Sequence, residues 1–325
     1  MKLGAASEWH FTAEVVLVWP QVSSSVSTLV VCWNNHEFLG RCLESLPRES
    51  EVIVVDNASE DGSADLVAQA LPSARLLRLS SNAGFAAGVN QAAALATGDY
   101  LLLINPDAEA TPRAIERLSA VIDEHPTCGA AAGRLVSMTE EPQQAFHARR
   151  LPTLGSVAAD LLLLSRLWPG NPVTRRAEEA DLDESRPGPI ERSSSSCLMI
   201  RREAFEQIGG MDVQFSPAWF EDVDLCKRLH NRHWDMFLVP NAVFRHIGGA
   251  SVHALSRARQ RRLYYRNLER YVRKHHGRSG AAAVKALLVT GMGLRLAASA
   301  LRADREGVHA FAGVLGGTLT GWKAD

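Results

Sequence analysis

The stretch that decides the fold is EVIVVDNASEDG, residues 51–62. It begins with a short apolar run rich in β-branched side chains, which is typical of a strand buried on both faces of a sheet. The run ends at Asp56, and turn-forming residues follow as far as Gly62. Residues 63–71 then have the periodicity of a helix. The stretch therefore predicts one strand–helix unit of a parallel sheet.

The same alternation of buried strand and helix continues on both sides of this unit. Gly98 is expected to end one helix, and Thr111 with Pro112 to begin the next as N-cap and first helical residue. We expect an α/β, Rossmann-like fold with a mostly parallel central sheet flanked by helices. The further strands are predicted over residues 28–32, 75–79 and 100–104, and the further helices over residues 37–46, 85–97 and 112–125.

The second half of the chain is less regular. Residues 140–192 combine a short apolar run with charged, proline-bearing segments and are predicted to be a variable insertion. We expect one α/β domain over residues 28–252, followed by a helical region over residues 253–325. Residues 1–27 are expected to be a poorly ordered extension or an additional edge strand. The late elements predicted are a strand over residues 197–200, a helix from Arg202, a turn at Gly209-Gly210, a helix over residues 222–233 and a strand over residues 236–239.

Composition excludes several classes of function. The 325 residues have a formal net charge of -1, which opposes a general attraction to nucleic acid. The five cysteines are scattered and form no CxxC pair, so neither a zinc site nor a disulfide framework is predicted. No signal-peptide layout is expected at the start, and no uninterrupted apolar run is long enough to span a membrane. We expect a reducing, cytoplasmic setting.

Polar side chains follow the predicted strands at the ends where such sheets bind ligands. Solvation of loops would explain each cluster alone, and it explains four clusters in register less well. We interpret them as one ligand site. The clusters are Asn34 and Asn35, Asp56 and Asn57, Asn82, and Asn105 to Asp107.

Three acidic positions match the chemistry of a sugar nucleotide, which has a base, a diphosphate and an anomeric carbon. Asp56 can accept a hydrogen bond from a pyrimidine N–H, and Asp107 can hold Mg²⁺ or Mn²⁺ against the phosphates. Glu221 and Asp222 open a helix, where a carboxylate can take the proton of an acceptor hydroxyl as general base. The alternative for Asp222 and Asp224 is that the helix dipole favours acids in the first turn.

Six segments stand out in order along the chain: LVVCWN (29–34), VVDNASEDG (54–62), NAGFAAGVN (82–90), YLLLINPD (100–107), CLMIRR (197–202) and GGMDVQFSPAWFEDVDL (209–225). Together they resemble the family 2 glycosyltransferases, in particular their rhamnosyltransferase-like branch. The resemblance extends over residues 28–251. The combination of NAGFAAGVN with NPD and FEDVDL is highly specific.

The resemblance implies a GT-A fold, a divalent cation (Mg²⁺ or Mn²⁺) and inversion at the anomeric carbon by direct displacement. It matches Asp222, beside Glu221, with the catalytic base, and Asp107 with the metal-binding acid of a DxD-type motif. It matches His246, which packing alone would otherwise explain, with a ligand of the metal or the diphosphate. The nucleotide-sugar site that it implies consists of Trp33, Asn34, Asp56, Asn57, Asn82, Gly84, Phe85, Asn90, Asn105 and Asp107.

Four features depart from the family's usual pattern. Trp33 stands where tyrosine is common, and Asn105 where the first acid of DxD is common, which leaves fewer metal ligands. Ser195 and Ser196 replace a small Gly-Ala pair on the acceptor side, and Met211 replaces the phenylalanine of GGFD.

The C-terminal region combines a basic segment with an apolar one. Residues 253–278 contain nine Lys or Arg and one acid, with three tyrosines among them. This pattern fits stacking on nucleic-acid bases, a solvated helix face, or a surface for anionic lipids and for the diphosphate of a lipid-linked acceptor. Residues 281–321 are apolar, with Lys285, Arg295 and Arg302 spaced along a helical pattern, which predicts an amphipathic helix in the membrane interface. We expect peripheral contact with the inner face of the plasma membrane, and no nucleic acid.

Taken together, these features predict transfer of L-rhamnose from dTDP-rhamnose to a hydroxyl of a cell-wall or lipid-linked glycan. A UDP-sugar donor and a catalytically silent binding protein of the same fold are the alternatives. A dinucleotide-binding oxidoreductase requires GxGxxG after the first strand, and residues 33–37 contain no glycine. A sugar-phosphate nucleotidyltransferase requires a glycine-rich basic first loop, which is also missing.

Overall fold

The computed structural model describes residues 25–143, 149–178, 183–249 and 255–322. Most of the predicted N-terminal extension lies outside these residues, and its last two, Val26 and Ser27, belong to the first strand. A nine-stranded sheet contains β1 (Val26–Cys32), β2 (Glu51–Asp56), β3 (Arg75–Arg78), β4 (Tyr100–Ile104), β5 (Ala108–Ala110), β6 (Cys128–Val136), β7 (Gly188–Pro189), β8 (Cys197–Arg201) and β9 (Asp235–His246).

The sheet is parallel on one side and mixed on the other. Its strand order is β3-β2-β1-β4-β8-β6-β9-β5, with β7 paired to β9. The first four strands are parallel neighbours, as the strand–helix units predict. Beyond them, β8 runs antiparallel to β4 and β6, whereas β6 and β9 are parallel. The predicted α/β architecture is confirmed, and its parallel pairs are confined to β1–β4 and to β6 with β9.

Helices cover both faces of this sheet. The first four lie where the sequence predicts them, with ends that differ by one or two residues, and the helix predicted over residues 222–233 begins and ends earlier. The helices are α1 (His36–Glu44), α2 (Ser63–Ala70), α3 (Phe85–Leu95), α4 (Ala114–Glu124), α5 (Leu154–Leu161), α6 (Leu164–Leu167), α7 (Pro172–Ala177), α8 (Arg202–Gln207), α9 (Glu221–Asn231), α10 (Arg257–Leu301) and α11 (Arg305–Thr320).

Two of the predicted helix-end signals are wrong. Helix α3 ends at Leu95, and the next residue, Ala96, is extended, so Gly98 is not its left-handed stop. Gly98 instead allows close approach to β1, because an added Cβ would lie 2.7 Å from the Ser27 backbone nitrogen. Helix α4 begins after Arg113 without a side-chain cap, and the Thr111 hydroxyl donates to the Val243 carbonyl of β9 at 2.7 Å.

Strand β6 was not predicted from the sequence. Its residues, CGAAAGRLV, contain few of the β-branched and aromatic side chains that are enriched in strands. Small side chains are required here because the neighbours are large: an added Cβ at Gly133 would lie 2.5 Å from the Phe244 ring of β9. Tertiary packing therefore sets the conformation of this segment.

The core consists of two clusters, one on each face of the sheet. Alternate residues of β1 point to opposite faces: Leu29 and Val31 belong to one cluster, and Val30 and Cys32 to the other. The continuous apolar runs that predict buried strands arise from this two-sided burial. All five cysteines are buried and free.

The long helix α10 is part of the main core. Its first half packs there through Tyr265, Leu268 and Tyr271, and its second half through Leu288 and Met292. Non-helical dihedral angles at Gly277 (φ 71°, ψ -171°) mark a kink between the halves. Of the described residues, this helix is long and apolar enough to cross a membrane by length and composition alone, although 28% of the apolar window is buried inside the protein.

One charge of the apolar tail has an internal partner. The Arg295 guanidinium donates from Nη2 to the Asp160 carbonyl at 2.8 Å and from Nη1 to the Leu161 carbonyl. These are terminal carbonyls of α5, which lack partners within their own helix. Arg295 therefore holds α5 against α10. Its side chain is directed to an internal partner, whereas the predicted amphipathic helix would extend it toward the membrane surface.

Candidate active site

A cavity of about 1000 Å³ lies at the carboxyl ends of the parallel strands. Its wall combines the end of β1 and the loops after β1, β2 and β4 with the segment before β8 and the loop before α9. Nine of the residues predicted for the site line it together: Trp33, Asn57, Asn82, Gly84, Phe85, Asn105, Asp107, Glu221 and Asp222. The functional roles assigned to them stay predictions.

Two predicted residues lie directly behind this wall. Asp56 is buried, and its carboxylate accepts hydrogen bonds from the Ser59 backbone N–H at 3.3 Å. It ends β2 beside Cys32 of β1, which itself lines the cavity. His246 is fully buried behind Asp107.

Asn34 and Asn90 lie outside the cavity wall, and both hold backbone in place. The Asn34 side chain accepts from the Glu60 N–H at 2.9 Å, which joins the loops after β1 and β2. The Asn90 amide donates to the Met211 carbonyl and accepts from the Met211 N–H, both at 2.8 Å. Asn90 thus connects α3 with the turn at Gly210 that leads toward the cavity.

The loop before α3 is shaped by two asparagines. Asn57 accepts from the Ala83 N–H, and Asn82 accepts from the Gly84 N–H, each at 2.9 Å. Gly84 has φ 87°, and an added Cβ there would overlap the Ser216 side chain. This loop and the Ser216-Pro217 loop are therefore in contact across one end of the cavity.

We expect Gly84→Ala to weaken nucleoside-diphosphate binding about tenfold, because the added methyl group must displace the Ser216 loop at the cavity. Gly209→Ala is the matched control. Gly209 has a similar φ of 75° but no atom within 4 Å of an added Cβ. Titration calorimetry with dTDP and UDP should show the loss in the first variant only, and equal affinities in both would contradict the loop contact.

Asp107 and His246 meet because β5 pairs with β9. Ala108 lies opposite His246 in this antiparallel pair, and the Ile247 N–H donates to the Asp107 carbonyl at 3.1 Å. The His246 Nε2 atom lies 3.4 Å from the Asp107 Oδ1 atom, while Nδ1 contacts the Gln143 side chain at 2.8 Å. A carboxylate and an oriented imidazole thus adjoin the cavity.

Asn105 is coupled to one of the unusual serines. Its side-chain amide donates to the Ser196 hydroxyl at 3.0 Å, and its backbone N–H donates to the Ser196 carbonyl at 3.1 Å. An aspartate at position 105 could not donate the first of these bonds. The two departures from the family's pattern therefore support each other in this chain.

Glu221 and Asp222 begin α9 at the cavity wall. They follow two aromatic residues in the left-handed region, Trp219 (φ 71°) and Phe220 (φ 73°), a conformation that bulky residues rarely adopt and that is frequent at functional sites. The Asp222 Oδ1 atom accepts from the Val223 N–H at 2.7 Å. Among the described residues, the buried Glu221 Oε2 atom has no hydrogen-bond partner.

The pKa values of this acid pair are raised. Burial raises the pKa of both carboxyls, and the Asp222 charge raises the pKa of Glu221 further, to well above its usual range. The nearby charge of Arg192 opposes the rise at Asp222. Of the two, Asp222 is therefore the better placed to be ionised at neutral pH and to accept a proton.

Sequence reasoning missed how the basic C-terminal segment supports the site. Asn267 is fully buried, and its amide Nδ2 atom, which has two N–H donors, lies within hydrogen-bond distance of three carbonyls before α9, those of Phe215, Ala218 and Trp219, at 2.8, 2.8 and 3.0 Å. Arg266 donates to the Ser216 carbonyl at 2.8 Å. These side chains hold the loop that precedes the acid pair.

A second missed feature is a pair of arginines at the cavity, Arg149 and Arg192. Both belong to the segment predicted to be a variable insertion. Their signal in the sequence was weak: each stands next to another charged residue, as Arg149-Arg150 and as Glu191-Arg192, in a stretch without clear periodicity.

Comparisons with known proteins agree with this arrangement. The family model described as "Glycosyl transferase family 2" matches residues 27–209. An N-acetylglucosaminyl-diphospho-decaprenol L-rhamnosyltransferase of Mycobacterium tuberculosis is 31% identical over 237 residues, which cover 67% of this chain and 74% of that relative.

Two solved structures share the fold. GalNAc-T7 with UDP, GalNAc and Mn²⁺ superposes with a TM-score of 0.53 at 16% identity, over 70% of this chain and 44% of that one. The mannosyltransferase PcManGT of Pyrobaculum calidifontis, in complex with GDP-Man and Mn²⁺, superposes with a TM-score of 0.52 at 15% identity, over 91% and 86% of the two chains. These likenesses confirm the predicted GT-A fold. Because the family match spans more than half of the residues, the chain belongs to glycosyl transferase family 2 and is a rhamnosyltransferase-like glycosyltransferase.

Proposed function

We propose that the protein transfers L-rhamnose from dTDP-rhamnose to a hydroxyl of a saccharide linked to a polyprenyl diphosphate, with inversion at the anomeric carbon. The observation that carries this proposal is the cavity in which the Glu221–Asp222 pair and Asp107 line one continuous wall. The mycobacterial relative, an N-acetylglucosaminyl-diphospho-decaprenol L-rhamnosyltransferase, supports both the sugar and the lipid-linked acceptor.

The donor is expected to bind along the carboxyl ends of β1, β2 and β4. Trp33 and Phe85 supply ring faces for the base, and Asp56 with Asn57 supplies acceptors for its polar edge. The loop shaped by Asn57 and Asn82 leads into α3, and Gly84 and Phe85 at the start of this helix line the cavity. A helix start of this kind favours the negative charge of a phosphate.

The donors near Asp107 fit a divalent cation. Mg²⁺ and Mn²⁺ need only one or two protein ligands when substrate phosphates complete their coordination. Asp107 supplies a carboxylate oxygen and His246 an imidazole nitrogen, and Gln143 orients that ring. Among the described residues no group of three or more His, Cys, Asp or Glu side chains is placed to hold a metal, so substrate oxygens are needed. Such a cation, when bound, stabilises the charge that develops on the leaving diphosphate.

Asp222 is the proposed base of a single displacement. The acceptor oxygen attacks the anomeric carbon on the face opposite the diphosphate, so the new C–O bond forms as the old one breaks. Asp222 takes the proton of the acceptor hydroxyl during this step. Inversion follows from the single attack on the opposite face.

A panel of dTDP-, UDP- and GDP-sugars tests the donor assignment. We expect dTDP-rhamnose to bind in the presence of Mn²⁺ or Mg²⁺ and to be transferred to a short-chain lipid-linked acceptor. In Asp107→Ala the metal-dependent part of donor binding is expected to disappear. If a UDP-sugar binds more tightly than dTDP-rhamnose and is transferred, the donor is the UDP-sugar. If Asp107→Ala leaves the metal titration unaltered, the role of Asp107 is contradicted.

We also propose peripheral contact with a membrane, at exposed apolar residues near α6. Leu167, the last residue of α6, and Trp168 after it are 77% and 63% exposed. Arg166 adds a positive charge among them. Exposed leucine and tryptophan beside basic residues are typical of segments that lie in the membrane interface.

We expect the double change Leu167→Gln and Trp168→Gln to lower binding to vesicles that contain anionic lipid about tenfold or more, because two apolar side chains no longer enter the interface. Met138→Gln is the control, since Met138 is also exposed but lies beside Arg41 of α1. Point substitutions are preferable to truncation of the tail, because Leu288 and Met292 belong to the core. Unchanged sedimentation of the double variant with vesicles would refute this contact.

A further inference from the structure

Arg149 and Arg192 lie directly opposite each other in an isolated antiparallel bridge. The Arg149 N–H donates to the Arg192 carbonyl at 3.0 Å, and both residues line the cavity. The next residues along the two segments, Arg150 and Glu191, point to the other face, as neighbours in extended chains do. There they form an ion pair at 3.0 Å, and Glu191 also accepts from the Leu151 N–H at 2.9 Å.

Among the described residues, Arg149 and Arg192, two of the five arginines that line the cavity, have no such partner. In the part of the chain that the structure describes, no carboxylate lies within ion-pair distance of Arg149 or Arg192. Like charges directly opposite each other on neighbouring strands are destabilising. Burial and the Arg192 charge lower the pKa of Arg149. A pair of this kind, facing a cavity, creates a positive potential that an anionic ligand would relieve.

The proposed reaction involves two diphosphates, one in the sugar-nucleotide donor and one in the lipid-linked acceptor. The position of the arginine pair indicates which of them it binds. Arg192 acts electrostatically on Asp222, whereas Asp107 and His246 lie beside the β5–β9 pair. From Arg149 the chain continues through α5 to the exposed residues Leu167 and Trp168. The arginine pair is thus linked to the proposed base and, along the chain, to the proposed membrane contact.

We propose that Arg149 and Arg192 bind the diphosphate of the lipid-linked acceptor and thereby present its sugar hydroxyl to Asp222. The planar guanidinium group of an arginine can donate two parallel hydrogen bonds to the oxygens of one phosphate. Two arginines opposite each other can therefore bind the two phosphates of a diphosphate. This inference rests on the proposed function. It goes beyond it by assigning the acceptor's charged group to named residues outside the recognised motifs.

The test separates the two sources of diphosphate by titration calorimetry of the full chain. Geranyl diphosphate, titrated into protein saturated with dTDP and Mn²⁺, represents the acceptor, and dTDP with Mn²⁺ represents the donor. We expect Arg149→Gln and Arg192→Gln to weaken geranyl diphosphate about tenfold to a hundredfold and to leave dTDP within about twofold. Arg150→Gln, the matched control on the other face, should bind both ligands as the unaltered protein does.

Conservative variants guard against a loss caused by misfolding. Arg149→Lys and Arg192→Lys keep the charge, so each should recover part of the geranyl diphosphate affinity, with thermal unfolding close to that of the unaltered protein. Loss of dTDP affinity in the glutamine variants would assign the pair to the donor and overturn the proposal, as would unchanged affinity for geranyl diphosphate.

A transfer assay separates this inference from the proposed function. An acceptor analogue with a diphosphate and one with an uncharged octyl glycoside differ only in the group that the arginines would bind. We expect the glutamine variants to raise KM for the first analogue at least tenfold and to leave KM for the second within about twofold. If the unaltered protein transfers no sugar but binds geranyl diphosphate through the two arginines, the proposed function is wrong and the arginine assignment stands. If the glutamine variants transfer sugar normally and their KM values for both analogues are unchanged, the arginine assignment is wrong and the proposed function stands.

Discussion

Asp222→Asn is expected to lower sugar transfer by about a thousandfold and to leave donor binding within about twofold. Removal of a general base typically costs 10² to 10⁴ in rate, roughly, and an amide cannot take the acceptor proton. The substitution is structurally conservative, because the asparagine Oδ1 atom can still accept the 2.7 Å hydrogen bond from the Val223 N–H. Loss of activity should therefore reflect chemistry at the carboxylate.

Glu221→Gln provides the matched comparison for this prediction. Burial and the Asp222 charge raise the pKa of Glu221 well above its usual range, so its protonated form, which glutamine resembles, persists to higher pH than that of an ordinary glutamate. Transfer should then fall by no more than about tenfold. A much larger loss in Glu221→Gln than in Asp222→Asn would reverse the assignment of the base.

The pH dependence of transfer gives an independent check. Burial raises the pKa of Asp222, so the ionised form that accepts a proton appears only at higher pH than for an ordinary aspartate of pKa about 3.9. The acid limb of the kcat profile should accordingly lie above pH 4, and Asp222→Asn should abolish it. An acid limb that persists in the variant would point to another titrating group.

The sequence was most informative where one segment contains its own signal. The runs at residues 52–55 and 100–104 are apolar at every position because each strand is covered on both faces, and the sequence pattern detects this directly. The polar residues that end these strands then fall at one edge of the sheet. Most of the nucleotide side of the cavity follows from those two facts.

Features that depend on distant partners were not predictable in the same way. Strand β6 is rich in alanine and glycine because Phe244, far along the chain, occupies the space beside it. The basic C-terminal segment has a pattern that equally fits a solvated helix, a lipid surface or a buried network. The folded chain places Asn267 against the loop before α9, and no local pattern encodes that partner.

Asp224 illustrates this limit and gives the largest expected effect on stability. The alternative explanation from the sequence, an acid in the first turn of α9, fits its position, but Asp224 is also fully buried and bridges α9 to α10. Its carboxylate lies 2.7 Å from each of the Arg228 Nε, Lys274 Nζ and His275 Nε2 atoms. Burial alone would raise the pKa of Asp224, but the His275 hydrogen bond and these charges hold it below the ordinary value.

We expect Asp224→Ala to lower the free energy of unfolding by about 3–5 kcal/mol, because removing one partner leaves buried charges uncompensated. Asp65→Ala is the control: Asp65 also pairs with an arginine, Arg78, at 2.6 Å, but the side chains are 73% and 55% exposed, so its loss should cost about 0.5 kcal/mol or less. Since the folded pKa of Asp224 is depressed, its contribution is present above about pH 4 and is lost as the pH falls through the folded value. Urea unfolding at pH 7 and at pH 3 measures both effects, and equal midpoints for the two alanine variants at pH 7 would show that Asp224 does not join α9 to α10.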